Sequence, residues 1–167
     1  VGLNCGIMDM YVSLFAERNR AVFIDCAAMT HELEPLDGAQ AAIVVCDTGV
    51  AHELATSEYN ARRAECESAL ARLKERVPGI RTYKDLPPGL FEREAHRLPD
   101  LERVRARHVV NENQRVLDSI AALRRGDLRA FGGLMNASHE SLRRDYQVSC
   151  EELDLMVQLA REVDGTL

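Results

Sequence analysis

The hydrophobic period of the chain changes once, at Asp47-Thr48-Gly49, and that change restricts the fold more than any other feature. Before it, apolar residues come in runs of strand length. Ala21-Val22-Phe23-Ile24-Asp25-Cys26 is nearly continuous. His31-Glu32-Leu33-Glu34-Pro35-Leu36 alternates polar with apolar, and Ala41-Ala42-Ile43-Val44-Val45-Cys46 is continuous again. Alternation marks a half-buried strand, and a short continuous run marks one covered on both faces. Pro35 has no N–H for a ladder, so the second strand should end there or lie at an edge. The short links, with Asp37-Gly38 as a turn, predict three successive antiparallel strands. Upstream, residues 7–16 are apolar-rich and fit a short helix or a buried loop.

After Gly49 the period becomes helical. Tyr59, Cys66, Leu70, Leu73 and Val77 mostly fall three, four or seven apart, one stripe of a helix over 57–77. Thr56 or Ser57 can cap it and Pro78-Gly79 ends it. The connector 80–100 contains Pro87-Pro88-Gly89 and Pro99, with room for a short helix at 90–98. A long helix follows over 100–125, with Leu101, Val104, His108, Val109, Val116, Ile120 and Leu123 as its stripe. Gly126 suits a left-handed C-terminal position, and Asp127 caps a helix over 128–144 that turns Phe131, Leu134, Met135 and Leu142 inward. Ser149-Cys150-Glu151-Glu152 reads as a capping box for a last helix. Leu153, Met156, Val157, Ala160 and Val163 form its apolar side. The predicted class is α+β: a short antiparallel sheet followed by a helical layer, with no βαβ repeat.

Composition excludes several functions. The net charge of -6 argues against a general phosphate-backbone binder, which would need a basic face, so no nucleic-acid partner is expected, while a nucleotide as a small ligand is not excluded. Five cysteines without a C-x-x-C argue against a disulfide framework or zinc site and fit a reducing cytoplasm. No apolar run approaches the roughly 18 residues of a membrane helix, so no membrane partner is expected. No signal peptide is visible, and Val1-Gly2-Leu3 reads like the inside of a larger protein.

The isolated motifs are weak. His52-Glu53-Leu54-Ala55-Thr56 lacks the second histidine of a zinc pair, and His31-Glu32 on its alternating strand is weaker still. His108, four residues before Glu112, reads as a satisfied core histidine. Arg103, Arg105 and Arg107 diverge around a helix and read by default as a solvated or salt-bridged surface, with contact to a neighbouring acidic element as the alternative. Cys5 has no assignable base. Gly132-Gly133 lacks the spacing of a phosphate loop, and no such loop occurs elsewhere. Asp9, beside the flexible Gly6 at the edge of an apolar run, reads either as a cap or turn residue or as a base or charge anchor.

Several motifs carry a family resemblance. They are Asn4-Cys5-Gly6-Ile7-Met8-Asp9, Ser57-Glu58-Tyr59 with Arg62-Arg63, and Arg105-Ala106-Arg107-His108-Val109-Val110. Further on come Leu134-Met135-Asn136-Ala137-Ser138-His139, Ser141-Leu142-Arg143-Arg144-Asp145-Tyr146 and Val148-Ser149-Cys150-Glu151-Glu152-Leu153-Asp154. In this order they resemble galactokinases, members of the GHMP group of small-molecule kinases. The resemblance implies transfer of the ATP γ-phosphoryl group to the anomeric hydroxyl of galactose, in the cytoplasm. Galactose and ATP, with Mg2+, are the implied ligands. Asp9 matches the catalytic carboxylate, and Gly6 and Tyr59 match residues lining the sugar pocket. Tyr59 taken alone also reads as a core residue. Residues 1–20 match the end of the N-terminal kinase domain, and 21–167 an incomplete C-terminal domain. The family's N-terminal sugar motif, its Gly-Leu-Ser-Ser-Ser phosphate loop, its magnesium-binding Glu and its late glycine-rich motif are not found in this sequence. Met10 stands where the family usually has Gln, which costs a hydrogen-bond donor and acceptor. A non-catalytic galactokinase-like module that senses sugar or binds a protein is the alternative reading.

Overall fold

The computed structural model describes residues 6–50 and 55–167, with side chains from 6–50 and 60–167. Its elements run α1 (Met8–Phe15), β1 (Arg20–Asp25), β2 (Thr30–Pro35), α2 (Ala55–Arg76), α3 (Pro88–Ala95), α4 (Asp100–Arg124), α5 (Leu128–Ser141) and α6 (Glu151–Arg161). A 3-10 turn at Tyr83–Asp85 precedes α3, and α5 runs on into a π-helical turn, Leu142–Tyr146. The α+β class and the order of sheet before helices are as the periodicity predicts.

The sheet is a hairpin, not three strands. β1 and β2 pair antiparallel, with Arg20 opposite Pro35 and Asp25 opposite Thr30. Pro35 closes β2, as its missing N–H requires. The third expected strand does not form: residues 41–46 have no regular structure, and Ile43, Val44 and Val45 are 79%, 78% and 89% exposed. Apolar content favours a strand but cannot make one, because a ladder needs a second segment. Among the described residues no strand pairs with this run.

The helical layer closes around α2, α3 and the first half of α4. Ala69, Leu73, Phe91, Ala95, Ala106 and Val110 form its buried centre, sealed by Ile80, Leu86 and Leu98 from the connecting turns. Pro88 opens α3 at a position whose N–H has no helical partner anyway, two residues earlier than the connector suggests. Gly79 and Gly126 take φ of 90° and 70° to end α2 and α4, a conformation that costs glycine nothing. Asp127 caps α5 by accepting from the Ala130 N–H at 2.9 Å.

Four local expectations are corrected. Leu101 and Val116 of the α4 stripe are exposed, while Arg105 is buried, because the neighbouring helices cover a rotated face. Met135 and Val163 also face outward. Cys150, not Ser149, precedes α6, and the Ser149 hydroxyl donates to Asp154 at 2.7 Å instead of closing a capping box. Thr56 and Ser57 lie inside α2, so the cap position falls outside the described residues.

Polar contacts fasten the hairpin to the helices. Arg124 at the end of α4 donates to Glu34 at 2.5 and 2.8 Å and to Glu32 at 2.8 Å. Glu34 is buried although charged, and its burial is tolerated because this fork answers it. Lys84 pairs with Asp25 from the opposite end of the strands and holds that carboxyl below the usual range.

Candidate active site

The chain sets α1 against the hairpin through three rings. The Tyr11 hydroxyl and His31 Nδ1 lie 3.0 Å apart, and Phe15 sits with its centroid 4.5 Å from Tyr11 and 4.8 Å from His31. His31 is therefore an anchor for α1 rather than part of a metal or acid–base motif. Tyr11 and Phe15 fall one turn apart on α1, which is why both reach the same imidazole.

Asp9 lies in the first turn of this anchored helix, three residues after Gly6, and both are exposed. Ile7 holds the cap position, and no side chain caps the helix. The Asp9 backbone carbonyl accepts from Ser13 at 2.7 Å, but its carboxylate has no hydrogen bond or ion pair among the described residues. The capping role is therefore unfilled by Asp9. What remains is a carboxylate at the positive end of a helix, without a partner among the described residues and exposed to a hydroxyl from outside. Apart from its chain neighbours, no described side chain or backbone lies within 4 Å of where a Gly6 Cβ would stand. Met10 is also exposed, at 59%. Tyr59 stands on α2, and its side chain lies outside the described residues, as does Cys5.

The remaining polar motifs answer one another. His108 Nδ1 is 2.9 Å from Ser141 Oγ, and Ser141 donates to Asp145 at 3.1 Å. With the serine proton committed to Asp145, His108 must donate from Nδ1. The imidazole stacks on Tyr146 at 4.5 Å. The order is His–Ser–Asp, with the hydroxyl in the middle, so the histidine cannot act as a base for a serine nucleophile oriented by an acid. Burial holds the His108 imidazole below its usual value, against the pull of Glu112. The satisfied core histidine expected from sequence is what the structure contains.

A pH dependence follows. The unfolded imidazole binds a proton below about pH 6.5, while the folded one resists it. Unfolded chains then carry more protons, so stability is lost as pH falls below 6.5. Comparing melting temperatures of the chain and His108→Gln from pH 8 to 5 should show a steeper acid loss in the parent. Parallel curves would remove His108 as the source.

Arg105 is the functional-looking residue that sequence reading misplaces. It is 1% exposed and ties three segments together. Its Nε donates to Glu65 of α2 at 2.8 Å, its Nη2 to the Gln147 side chain at 2.7 Å, and its Nη1 to the Asp145 carbonyl. Burial works to raise Glu65, but the hydrogen bonds from Arg105 and Arg62 outweigh it and hold the carboxyl below its usual range. Its neighbours stay near the surface, with Arg103 on Asp100 and Arg107 on Glu92. Cys66 is buried, and burial raises its thiol, the behaviour of a packing residue.

Two clefts, of about 280 and 430 Å3, open between α4 and α5, and neither includes Gly6 or Asp9. The charged groups of the first neutralise each other: Glu112 accepts from Arg115 at 2.7 and 2.9 Å and from Ser138 at 2.6 Å. Gly132, half of the glycine pair, is where the Leu167 backbone crosses α5, since a Cβ there would stand 2.2 Å from it. No group of three or more metal-ligating side chains occurs among the described residues. No described helix is long and apolar enough to cross a membrane.

No family model matches the chain. Individual proteins do, along essentially its whole length. It is 46% identical to a galactokinase of Roseiflexus sp. (strain RS-1) over 165 residues, covering 99% of this chain and 42% of that protein. It is 42% identical to a galactokinase of Thermotoga neapolitana over 167 residues, covering 100% of this chain and 45% of that one. Its fold matches the crystal structure of Lactococcus lactis galactokinase complexed with galactose, with a TM-score of 0.87 and 32% identity over 98% of this chain and 42% of that chain. The chain thus spans less than half the length of the relatives it matches.

Proposed function

We propose that this chain, which matches a segment of galactokinases from end to end, is the part of a galactokinase that presents a carboxylate to the sugar. The observation that carries the reading is the match itself, in sequence and in fold, along nearly every residue. The geometry around Asp9 supports it. An acceptor hydroxyl needs a nearby group to orient it and take its proton as its oxygen attacks phosphorus. A carboxylate without a partner among the described residues, on a helix held by the Tyr11–His31–Phe15 cluster, meets that need. In this reading the Asp9 carboxylate accepts a hydrogen bond from the anomeric hydroxyl of galactose. Gly6 leaves room for the sugar ring, and Tyr59 is assigned to the sugar site by its match to the family alone. ATP supplies the phosphoryl group from elsewhere in the complete enzyme. Residues 1–20 belong with the N-terminal kinase domain and 21–167 with the C-terminal one.

The test is a chimera in which this chain replaces the matching part of the Roseiflexus galactokinase. The chimera should phosphorylate galactose in an ATP-dependent manner, and the 167-residue chain alone should not. The chain by itself offers a carboxylate but no phosphate loop, and charge stabilisation at the transferring group is most of the catalysis. A folded chimera that binds galactose without turning it over would favour the non-catalytic sensing module.

A further inference from the structure

We infer that His31 is a positioning residue for phosphoryl transfer: through Tyr11 and Phe15 it sets where α1 holds the Asp9 carboxylate. The inference deepens the proposed function and rests on its reading of Asp9. α1 cannot hold itself in place. It has eight residues and no buried side chain, and isolated helices shorter than about 12 to 15 residues are marginal in water. Its position must come from tertiary contacts. Among the described residues, the Tyr11–His31 contact is the one side-chain hydrogen bond from α1 to the rest of the chain. The imidazole also meets two rings, edge-on to Tyr11 at 5.5 Å and tilted over Phe15 at 4.8 Å. One side chain of β2 thus fixes two successive turns of the helix.

The strand behind His31 is itself clamped. Successive strand residues point to opposite faces, so His31 faces away from Glu32 and Glu34. Those two carboxylates take the Arg124 fork at the end of α4. Asp25, opposite Thr30 in the ladder, shares their face and pairs with Lys84. The hairpin is therefore fastened to the helical layer through one face and to α1 through the other. Asp9 stands on the far side of α1. It is two residues from Tyr11, roughly 200° around a helix, so the rings that hold Tyr11 leave Asp9 turned outward. A working carboxylate has to be held within about 0.5 Å of its productive position. A roll of about 10° carries a group at a side-chain radius of about 5 Å through roughly 0.9 Å. Losing the imidazole frees that roll.

The test is kinetic and uses the chimera. His31→Ala should lower kcat by about ten-fold and leave KM for galactose within about two-fold, since alignment of the base is lost and the sugar contacts remain. A residue that only stabilises the fold would lower the melting temperature and spare kcat per folded molecule. Placing His31→Ala on Asp9→Asn separates the two roles further. With the base gone there is nothing to position, so the second substitution should cost less than about two-fold. A folded His31→Ala chimera with the parent's kcat, where Asp9→Asn is inactive, would overturn this inference alone. So would the same ten-fold loss repeated on Asp9→Asn. Normal turnover by Asp9→Asn would remove the proposed function, and this inference with it. If the chimera does not fold, hydrogen exchange in the 167-residue chain decides. The Tyr11 and Ala16 amides, bonded to the Ile7 and Val12 carbonyls at 2.9 Å, should exchange at least about ten-fold faster in His31→Ala, with α4 unchanged. Equal exchange in the two proteins would overturn the inference.

Discussion

Asp9→Asn in the chimera should lower galactose phosphorylation by about a hundred- to ten-thousand-fold, the usual contribution of a positioned general base. Galactose affinity should stay within a few-fold. Asn has nearly the same shape and still accepts one hydrogen bond from the sugar, but it cannot take the proton and carries no charge. The expectation is sharpened by what Asp9 does not do. It is not the cap of α1, which Ile7 occupies without a side-chain bond, and its carboxylate has no partner among the described residues. A structural Asp lost from a cap would cost about 1 kcal/mol of stability and leave turnover per folded molecule nearly intact. Measuring kcat, galactose affinity and melting temperature together separates the two. Turnover within a few-fold of the parent, in folded protein, would show that Asp9 is not the base.

How far the fold was legible depended on whether a segment carries its own partners. α2, α4 and α5 make their backbone bonds internally, so periodicity and punctuation by Gly79, Gly126 and Asp127 were enough to find them. The β1–β2 hairpin was legible because its two strands adjoin in sequence. Residues 41–46 carry an equally strong strand signal and form none, since no strand among the described residues pairs with them. The capping box at Ser149 failed for a related reason. Its hydroxyl had a competing acceptor in Asp154, which no four-residue pattern reveals.

The candidate site was legible only through resemblance. Nothing in spacing distinguishes Asp9 from a turn residue, and an unpartnered carboxylate leaves no sequence signal. Anchoring of α1 by His31 was hidden because Tyr11 and His31 stand twenty residues apart. Arg105 was read as surface because arginines at alternate helix positions diverge and normally meet water, which concealed that one of the three points inward. The acidic partner that permits its burial, Glu65, is on another helix.

That burial makes Arg105 the residue whose loss should cost the fold most. Arg105→Met keeps much of the stem volume and removes the guanidinium. Glu65 then loses one of two cations, while the Asp145 carbonyl and the Gln147 side chain lose a donor. Breaking a buried pair from one side costs about 3 to 5 kcal/mol. Arg62, 2.5 Å from Glu65, still neutralises the carboxylate and places the expected loss near the lower figure, about 3 kcal/mol. Arg105→Lys keeps the charge but cannot span three acceptors with a planar fork, so it should recover only part of that loss. Gln147 supplies a second readout. It sits at φ 57°, a left-handed conformation that a side chain accepts only when its surroundings hold it there. Without Arg105 the turn after α5 should relax, and hydrogen exchange at Val148, whose N–H donates to Leu142 at 3.1 Å, should rise. Urea unfolding of the chain and both variants gives the stability difference, with the slope as a check that the unfolded state has not changed. If Arg105→Met unfolds within about 1 kcal/mol of the parent, the network is dispensable. The join between α2, α4 and the turn after α5 must then rest on apolar packing and on the remaining polar contacts, such as Ser68 and Arg72 of α2 on Glu102 of α4.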